Sequence, residues 1–150
     1  MKSMSFAMLL SLMLAGSPAV ADDVADKPLA YELSKSRSVS ADLNRDGSTD
    51  QAELGVGTES VGLRITLDGK LLPVIEIPVD GSKQFGICSG ASAKIGISPQ
   101  SEAPLNALGE TPTGYEICPS CVEIDISDGE CDSLHFYWDT TTKTIAWWRA

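Results

Sequence analysis

The chain has 150 residues, 21 acidic against 11 basic side chains, a formal charge of −10, and 43 % hydrophobic residues. That is apolar material for one domain around one core. The acidity argues against nucleic acid and anionic lipid as partners, because both demand positive charge opposite them, and it suits a cation or a basic protein.

Residues 1–21 read as a secretory signal peptide. Lys2 gives the positive start, Phe6–Ala15 the apolar run, and Ala19-Val20-Ala21 a small-residue cleavage site ahead of Asp22-Asp23. The run is too short for a bilayer, which takes about 20 apolar residues, and no later stretch is longer and more apolar. A periplasmic or secreted protein is expected, and not an integral membrane protein. Residues 22–38, with Pro28 and the polar run Ser34–Ser38, read as a flexible lead-in with at most a short strand or turn at Leu29–Leu33. One β-rich domain is expected over 39–150.

The stretch Asp42–Glu53 reads DLNRDGSTDQAE. Asp42, Asn44 and Asp46 stand at every second position, Gly47 follows, and Glu53 holds the twelfth place. This resembles the calcium loop D-x-[DN]-x-[DN]-G-x5-E of EF-hands. The resemblance implies Ca2+, held at roughly 2.3–2.6 Å by six to eight oxygens from a loop curled round the ion. It assigns ligand roles to the side chains of Asp42, Asn44 and Asp46, the carbonyl of Ser48, Asp50 through water, and both oxygens of Glu53. The flanks differ from an EF-hand. Ser34–Ala41 has no 3.6-residue apolar period, and Gly55 and Gly57 curtail any helix after Gln51. The core Asp42, Asn44, Asp46, Gly47, Asp50 also resembles the loops of FG-GAP or VCBS-type repeats, which join two strands of a propeller blade. A propeller needs about four to eight blades, and the loop occurs once. The resemblance therefore covers a dozen residues and implies loop chemistry rather than fold. Glu53 is a bidentate ligand in the first version and dispensable in the second.

Beyond the loop the periodicity is two. Val61, Leu63, Ile65 and Leu67 alternate with Gly62, Arg64 and Thr66, which predicts a half-buried strand. Asp68-Gly69 marks a hairpin turn, and Leu71–Ile77 a return strand that Pro73 confines to an edge or a bulge. After a turn at Asp80-Gly81, short strands are expected at Gln84–Cys88 and Ala93–Ile97. Pro99–Thr113 reads as a long loop with one helical turn at Leu105–Leu108. A strand at Tyr115–Cys118 precedes a meander: Val122–Ile126, a turn at Asp128-Gly129, Leu134–Trp138, a polar turn at Thr140–Lys143, and Thr144–Arg149. All three tryptophans lie there, so this half carries much of the core. The fold class is all-β, a small antiparallel meander or compact sandwich of six to eight strands with one N-terminal calcium loop, stapled by disulfides.

Cys88, Cys118, Cys121 and Cys131 form an even set, which in an exported chain reads as disulfides. Cys118 with Cys131, leaving Cys88 with Cys121, is the favoured pairing, since the first two flank Val122–Ile126 and its turn. A direct Cys118–Cys121 bridge is the rival. A four-sulfur zinc site and a redox C-x-x-C stay open beside them. Asp125, Asp128, Glu130 and Asp132 cluster round one turn and read as a solvated hairpin end. His135, the single histidine, has no nucleophile motif to serve. Trp147 and Trp148 point to opposite faces, and the exposed one, with His135 and Tyr137, forms a candidate aromatic surface.

The reading these features support is an exported calcium-binding β-rich binding module without catalysis of its own, meeting a protein partner through an acidic or aromatic surface. The alternative is a periplasmic inhibitor or immunity-type protein that caps a basic enzyme.

Overall fold

The computed structural model describes residues 31–101, 104, 105 and 109–150. The signal peptide, the lead-in up to residue 30 and most of the helical turn expected at Leu105–Leu108 lie outside the described residues. Nine strands and no helix are found among the described residues: β1 (Glu32–Ala41), β2 (Asp50–Val56), β3 (Ser60–Leu67), β4 (Lys70–Leu71), β5 (Ile75–Pro78), β6 (Lys94–Gln100), β7 (Cys118–Ser127), β8 (Leu134–Asp139) and β9 (Thr144–Arg149). They make two antiparallel sheets, the first ordered β1-β2-β3-β4 with β5 also on β3, the second β6-β7-β8-β9.

The alternation seen in sequence sorts side chains between faces. Ala52 and Leu54 of β2, Val61, Leu63, Ile65 and Leu67 of β3, Ile124 and Ile126 of β7, and Leu134 and Phe136 of β8 share one buried cluster between the sheets. Each such aliphatic side chain contributes about 1.5–3 kcal/mol by leaving water. Asp68 and Gly69 both have positive φ, 51° and 74°, as a two-residue type I′ hairpin turn requires. β4 and β5 are one return strand broken at Pro73: β4 pairs with Thr66–Leu67 and β5 with Ser60–Leu63, and Leu72 N bridges the gap to Ile65 O at 2.9 Å.

Several local expectations change. β1 starts at Glu32, inside the stretch read as a lead-in, and pairs along β2 from Glu32↔Val56 to Ala41↔Asp50. Gln84–Cys88 is not a strand; Ile87 makes an isolated bridge to Val79, and the N–H groups of Cys88 and Ser89 turn to the Asp128 carboxylate at 2.6 and 2.8 Å. β6 runs through Pro99 to Gln100. This is tolerated because β6 is an edge strand, where a missing N–H faces no ladder partner. Tyr115 belongs to a turn, its N–H bonded to Pro112 O at 3.1 Å after Gly114 at φ 71°, and the strand begins at Cys118.

The cysteines pair as Cys88–Cys131 and Cys118–Cys121, with Cα separations of 5.6 and 5.1 Å. This corrects the favoured pairing. Cys118 opens the ten-residue β7 and Cys131 follows its far end. At 3.3 Å per residue that distance is roughly 20–30 Å, far beyond the reach of about 7 Å for a disulfide. Two separate bonds also leave no four-sulfur zinc site. Such bonds are compatible with an oxidising compartment. Among the described residues no helix is long and apolar enough to cross a membrane.

Candidate metal centre

The segment from Asp42 to Asp50 joins β1 to β2 and is held by its own side chains. Asp42 accepts Asp46 N at 3.1 Å on one oxygen and Gly47 N at 3.0 Å on the other. Asn44 Oδ1 accepts Asp46 N at 3.1 Å, and Asp46 Oδ1 accepts Ser48 N at 2.7 Å. Arg45 and Gly47 take positive φ, 65° and 87°, which bends the chain round the side chains of Asp42, Asn44 and Asp46. Asp50, the first residue of β2, is buried. It accepts Leu43 N at 2.9 Å and Asp68 N at 3.0 Å, tying the loop's start to the β3–β4 turn.

That last bond brings in a residue the linear motif does not contain. With Gln51 opposite Thr66 in the β2–β3 register, the loop's end necessarily meets the Asp68-Gly69 turn. Asn44 Nδ2 donates to Asp46 Oδ2 at 2.8 Å and to Asp68 Oδ2 at 3.3 Å. The Asp46 and Asp68 carboxyl groups thus approach one amide from two sides, and they titrate in opposite directions. The Ser48 N–H, then the Asp68 carboxyl and the Asn44 amide, hold Asp46 down to about 2. The Asp46 carboxyl, then burial and the Asp46 charge, push Asp68 up. Two exposed acids whose charges oppose each other in this way could hold a cation, since opposite charge favours the ionised form of both. Turn chemistry alone marked Asp68 in the sequence; the register supplies its role.

Glu53 is placed elsewhere. It faces outward on β2, opposite Arg64, whose Nε donates to it at 2.8 Å and whose Nη2 also reaches the same oxygen. The structure therefore places Asp42, Asn44, Asp46, Ser48 and Asp50 in the β1–β2 connection next to Asp68, without bringing three of these carboxylates as close together as Cys88, Asp128 and Cys131 are, and gives the Glu53 carboxylate to a cross-strand guanidinium. Arg45 leaves the loop in the other direction: its Nη2 donates to Gln100 Oε1 at 2.6 Å and its Nη1 to Glu116, joining the loop to the second sheet.

The second acidic cluster is unlike the first. Burial would raise Asp128, but the N–H groups of Cys131, Glu130, Ser89 and Cys88 outweigh it and hold the carboxyl low. Cys88, Asp128 and Cys131 do bring two sulfurs and a carboxylate together, yet the sulfurs are spent in their disulfide and the carboxylate is filled by backbone donors. A cleft of 730 Å³ near by, lined by Arg37, Ser92, Lys94 and Ile95, shares no residue with the Asp42–Asp50 loop.

His135 lies on the outer face of the second sheet, stacked on Trp148 with centroids 4.0 Å apart and planes 9° from parallel. Beneath them Glu123 is buried. It accepts Trp148 Nε1 at 3.1 Å and Ser98 Oγ at 3.4 Å. His135 Nδ1 stands 3.1 Å from Glu123 Oε1, close but without the alignment of a hydrogen bond. Ser98 and His135 thus both stand beside the Glu123 carboxylate. Tyr115 packs edge-on against Tyr137, centroids 5.0 Å apart; burial and then the Glu123 charge push its phenol up. Tyr137 is itself buried, donating to Thr113 O at 2.7 Å, and the exposed tryptophan is Trp147, 38 % exposed, whereas Trp148 is half-buried on His135, so the expected aromatic surface does not come together on one face. Trp147, on the opposite face, packs on Phe85 at 4.7 Å.

Compared with protein-family models, with curated proteins and with solved structures, the chain finds no match.

Proposed function

We propose that this is an exported, calcium-stabilised β-sandwich binding module of the periplasm or extracellular space, with no catalysis of its own. The observation that carries the reading is the meeting of Asp46 and Asp68 beside Asp42 and Asn44. An ion there takes side-chain oxygens of Asp42, Asn44, Asp46 and Asp68 and the Ser48 carbonyl, an all-oxygen set of the kind Ca2+ prefers. Asp50 orients the loop through Leu43 and Asp68. The ion links the β1–β2 loop to the β3–β4 turn and so makes the first sheet's rim rigid. A partner protein is then met by the acidic surface or by an aromatic one around the exposed Trp147.

Calorimetry with millimolar Ca2+ and thermal melts with chelator or metal test this. Binding to the native state alone adds about 2.7 kcal/mol at a hundredfold excess over Kd. The melting temperature is expected to rise with Ca2+, and the Asp42→Ala/Asp46→Ala double variant to lose the rise. Absence of binding heat in the wild-type protein, with identical melts in chelator and metal, would rule the reading out. For the inhibitor alternative the Asp125–Asp132 turn offers little free charge, since Asp128 is committed to backbone donors and Asp132 approaches Arg149 at 3.8 Å.

A further inference from the structure

The Cys118-Pro119-Ser120-Cys121 segment interrupts an otherwise regular ladder. Six consecutive pairs run from Lys94↔Ser127 to Pro99↔Val122, and the register then jumps to Gln100↔Cys118. Pro119, Ser120 and Cys121 are thus surplus to the pairing, and the disulfide closes the base of the bulge they form. The bond joins residues only three apart in sequence, so it removes little freedom from the unfolded chain and adds little to stability. It is not needed for the register either, since the six pairs beyond it hold β6 against β7.

The two sulfurs differ in setting. Cys121 is 8 % exposed, whereas Cys118 is half-buried between Ile117, 58 % exposed, and the exposed Pro119 and Ser120. Ser120 Oγ lies 3.3 Å from Cys118 Sγ, in position to donate to a thiolate. The other disulfide contrasts in what holds it, though not in access, because Cys88 is exposed too. It joins residues 43 apart, and both its cysteines donate their N–H to the Asp128 carboxylate. The Asp128 carboxylate thus ties the backbone of that pair together, while the first pair closes a bulge within one strand.

We propose that Cys118–Cys121 is a site of thiol–disulfide exchange, opened in the native protein by a dithiol oxidoreductase of the C-x-x-C class, while Cys88–Cys131 stays closed. The partner's thiolate attacks Cys118 Sγ, the Cys118–Cys121 bond breaks, and Cys121 leaves as a thiolate that takes a proton. The partner's second thiolate then attacks its own sulfur in the mixed disulfide and releases Cys118, which is protonated in turn. Two electrons pass: the partner's dithiol becomes a disulfide and this bond becomes a dithiol.

The test uses the full oxidised protein and a thioredoxin whose buried cysteine is replaced by serine, so that the mixed disulfide is trapped. Peptide mapping is expected to place the adduct on Cys118. In a graded dithiothreitol series with alkylation, Cys118 and Cys121 are expected to be labelled at a reductant concentration at least about tenfold below that for Cys88 and Cys131, with an unchanged far-UV circular dichroism spectrum. The Cys118→Ser/Cys121→Ser variant keeps that spectrum and gives no adduct. An adduct on Cys88, no adduct on the wild-type protein, or both bonds opening together with loss of the spectrum would each overturn the proposal.

Discussion

Two acid-rich turns sit in this molecule and solve the same problem in opposite ways. At the second, the buried Asp128 carboxylate receives four backbone N–H groups at 2.6–2.8 Å. At the first, Asp42, Asp46, Asp50 and Asp68 divide five backbone N–H groups and one Asn44 amide among them. Asp46 and Asp68 are left facing each other. Counting acids in the sequence makes the two clusters look alike. What separates them is the supply of donors: one is filled by the chain, and the other is where the proposed cation would sit.

The largest effect that could break this contrast is at Asp128. Asp128→Ala strips four buried or half-buried N–H groups of their acceptor, and each one left unpaired costs about 1–3 kcal/mol. A loss of about 3 kcal/mol or more is expected in urea unfolding, and added Ca2+ should restore none of it. A small loss would mean that solvent or neighbouring carbonyls serve those N–H groups, and the claim of a self-sufficient turn would fail.

The next test inverts a sign. Without metal, Asp68→Asn removes the repulsion between Asp46 and Asp68 and is expected to raise the melting temperature slightly. With Ca2+ the same change removes a ligand, and affinity is expected to fall at least about tenfold, the range found even for residues one step removed from a metal. Melting with chelator and titration with Ca2+ read the two arms. Movement in the same direction in both would make Asp68 a structural turn residue only.

Acid separates the clusters further. Asp128 and Asp46 both have folded values below the ordinary 3.8, Asp46 at about 2. Their stabilisation is therefore complete above the unfolded value and is lost as pH falls from about 4 toward 2. Asp68 runs the other way. Its folded value is raised, so its ionisation opposes folding near neutral pH and the penalty is relieved as pH falls through that raised value. In chelator, denaturant midpoints followed from pH 7 to pH 2 are expected to show a shallow gain before the acid loss. Saturating Ca2+ should abolish the gain and leave the loss at Asp128. A monotonic decline with and without metal would contradict the Asp46–Asp68 pairing.

Much of the architecture was readable from period and turn chemistry. The alternation at Val61–Leu67, Val122–Ile126 and Leu134–Trp138 became β3, β7 and β8, because a strand buried on one face must repeat every two residues. What escaped depends on distant partners. β1 has no such alternation in Glu32–Ser38 and is a strand through its backbone pairing with β2. β6 passes through Pro99 only because its outer edge is free. The cysteine pairing needed the length of β7, and Glu123 is buried by Trp148 and Tyr115, which come from other segments. At the candidate site the motif is local, and the loop's own hydrogen bonds lie within it. Asp68 is not part of the motif, since only the β2–β3 register carries it there.

Glu53 gives the smallest expected effect and the finest discrimination. In a helix-flanked calcium loop the twelfth residue closes the cage with both oxygens. Here strands flank the loop, Glu53 points to the face opposite Asp50, and Arg64 engages it with both side chains about a quarter exposed. A half-exposed cross-strand ion pair contributes about 0.2–1 kcal/mol. Glu53→Gln is therefore expected to lower stability by no more than that, and to leave the calcium dissociation constant unchanged within about twofold, well short of the tenfold loss at Asp68. Calorimetric titration of the two variants side by side decides between ligand sets. If Glu53→Gln weakens binding as much as Asp68→Asn does, the ion draws the twelfth residue round to itself, and the cation belongs to the loop alone rather than to the junction of loop and hairpin.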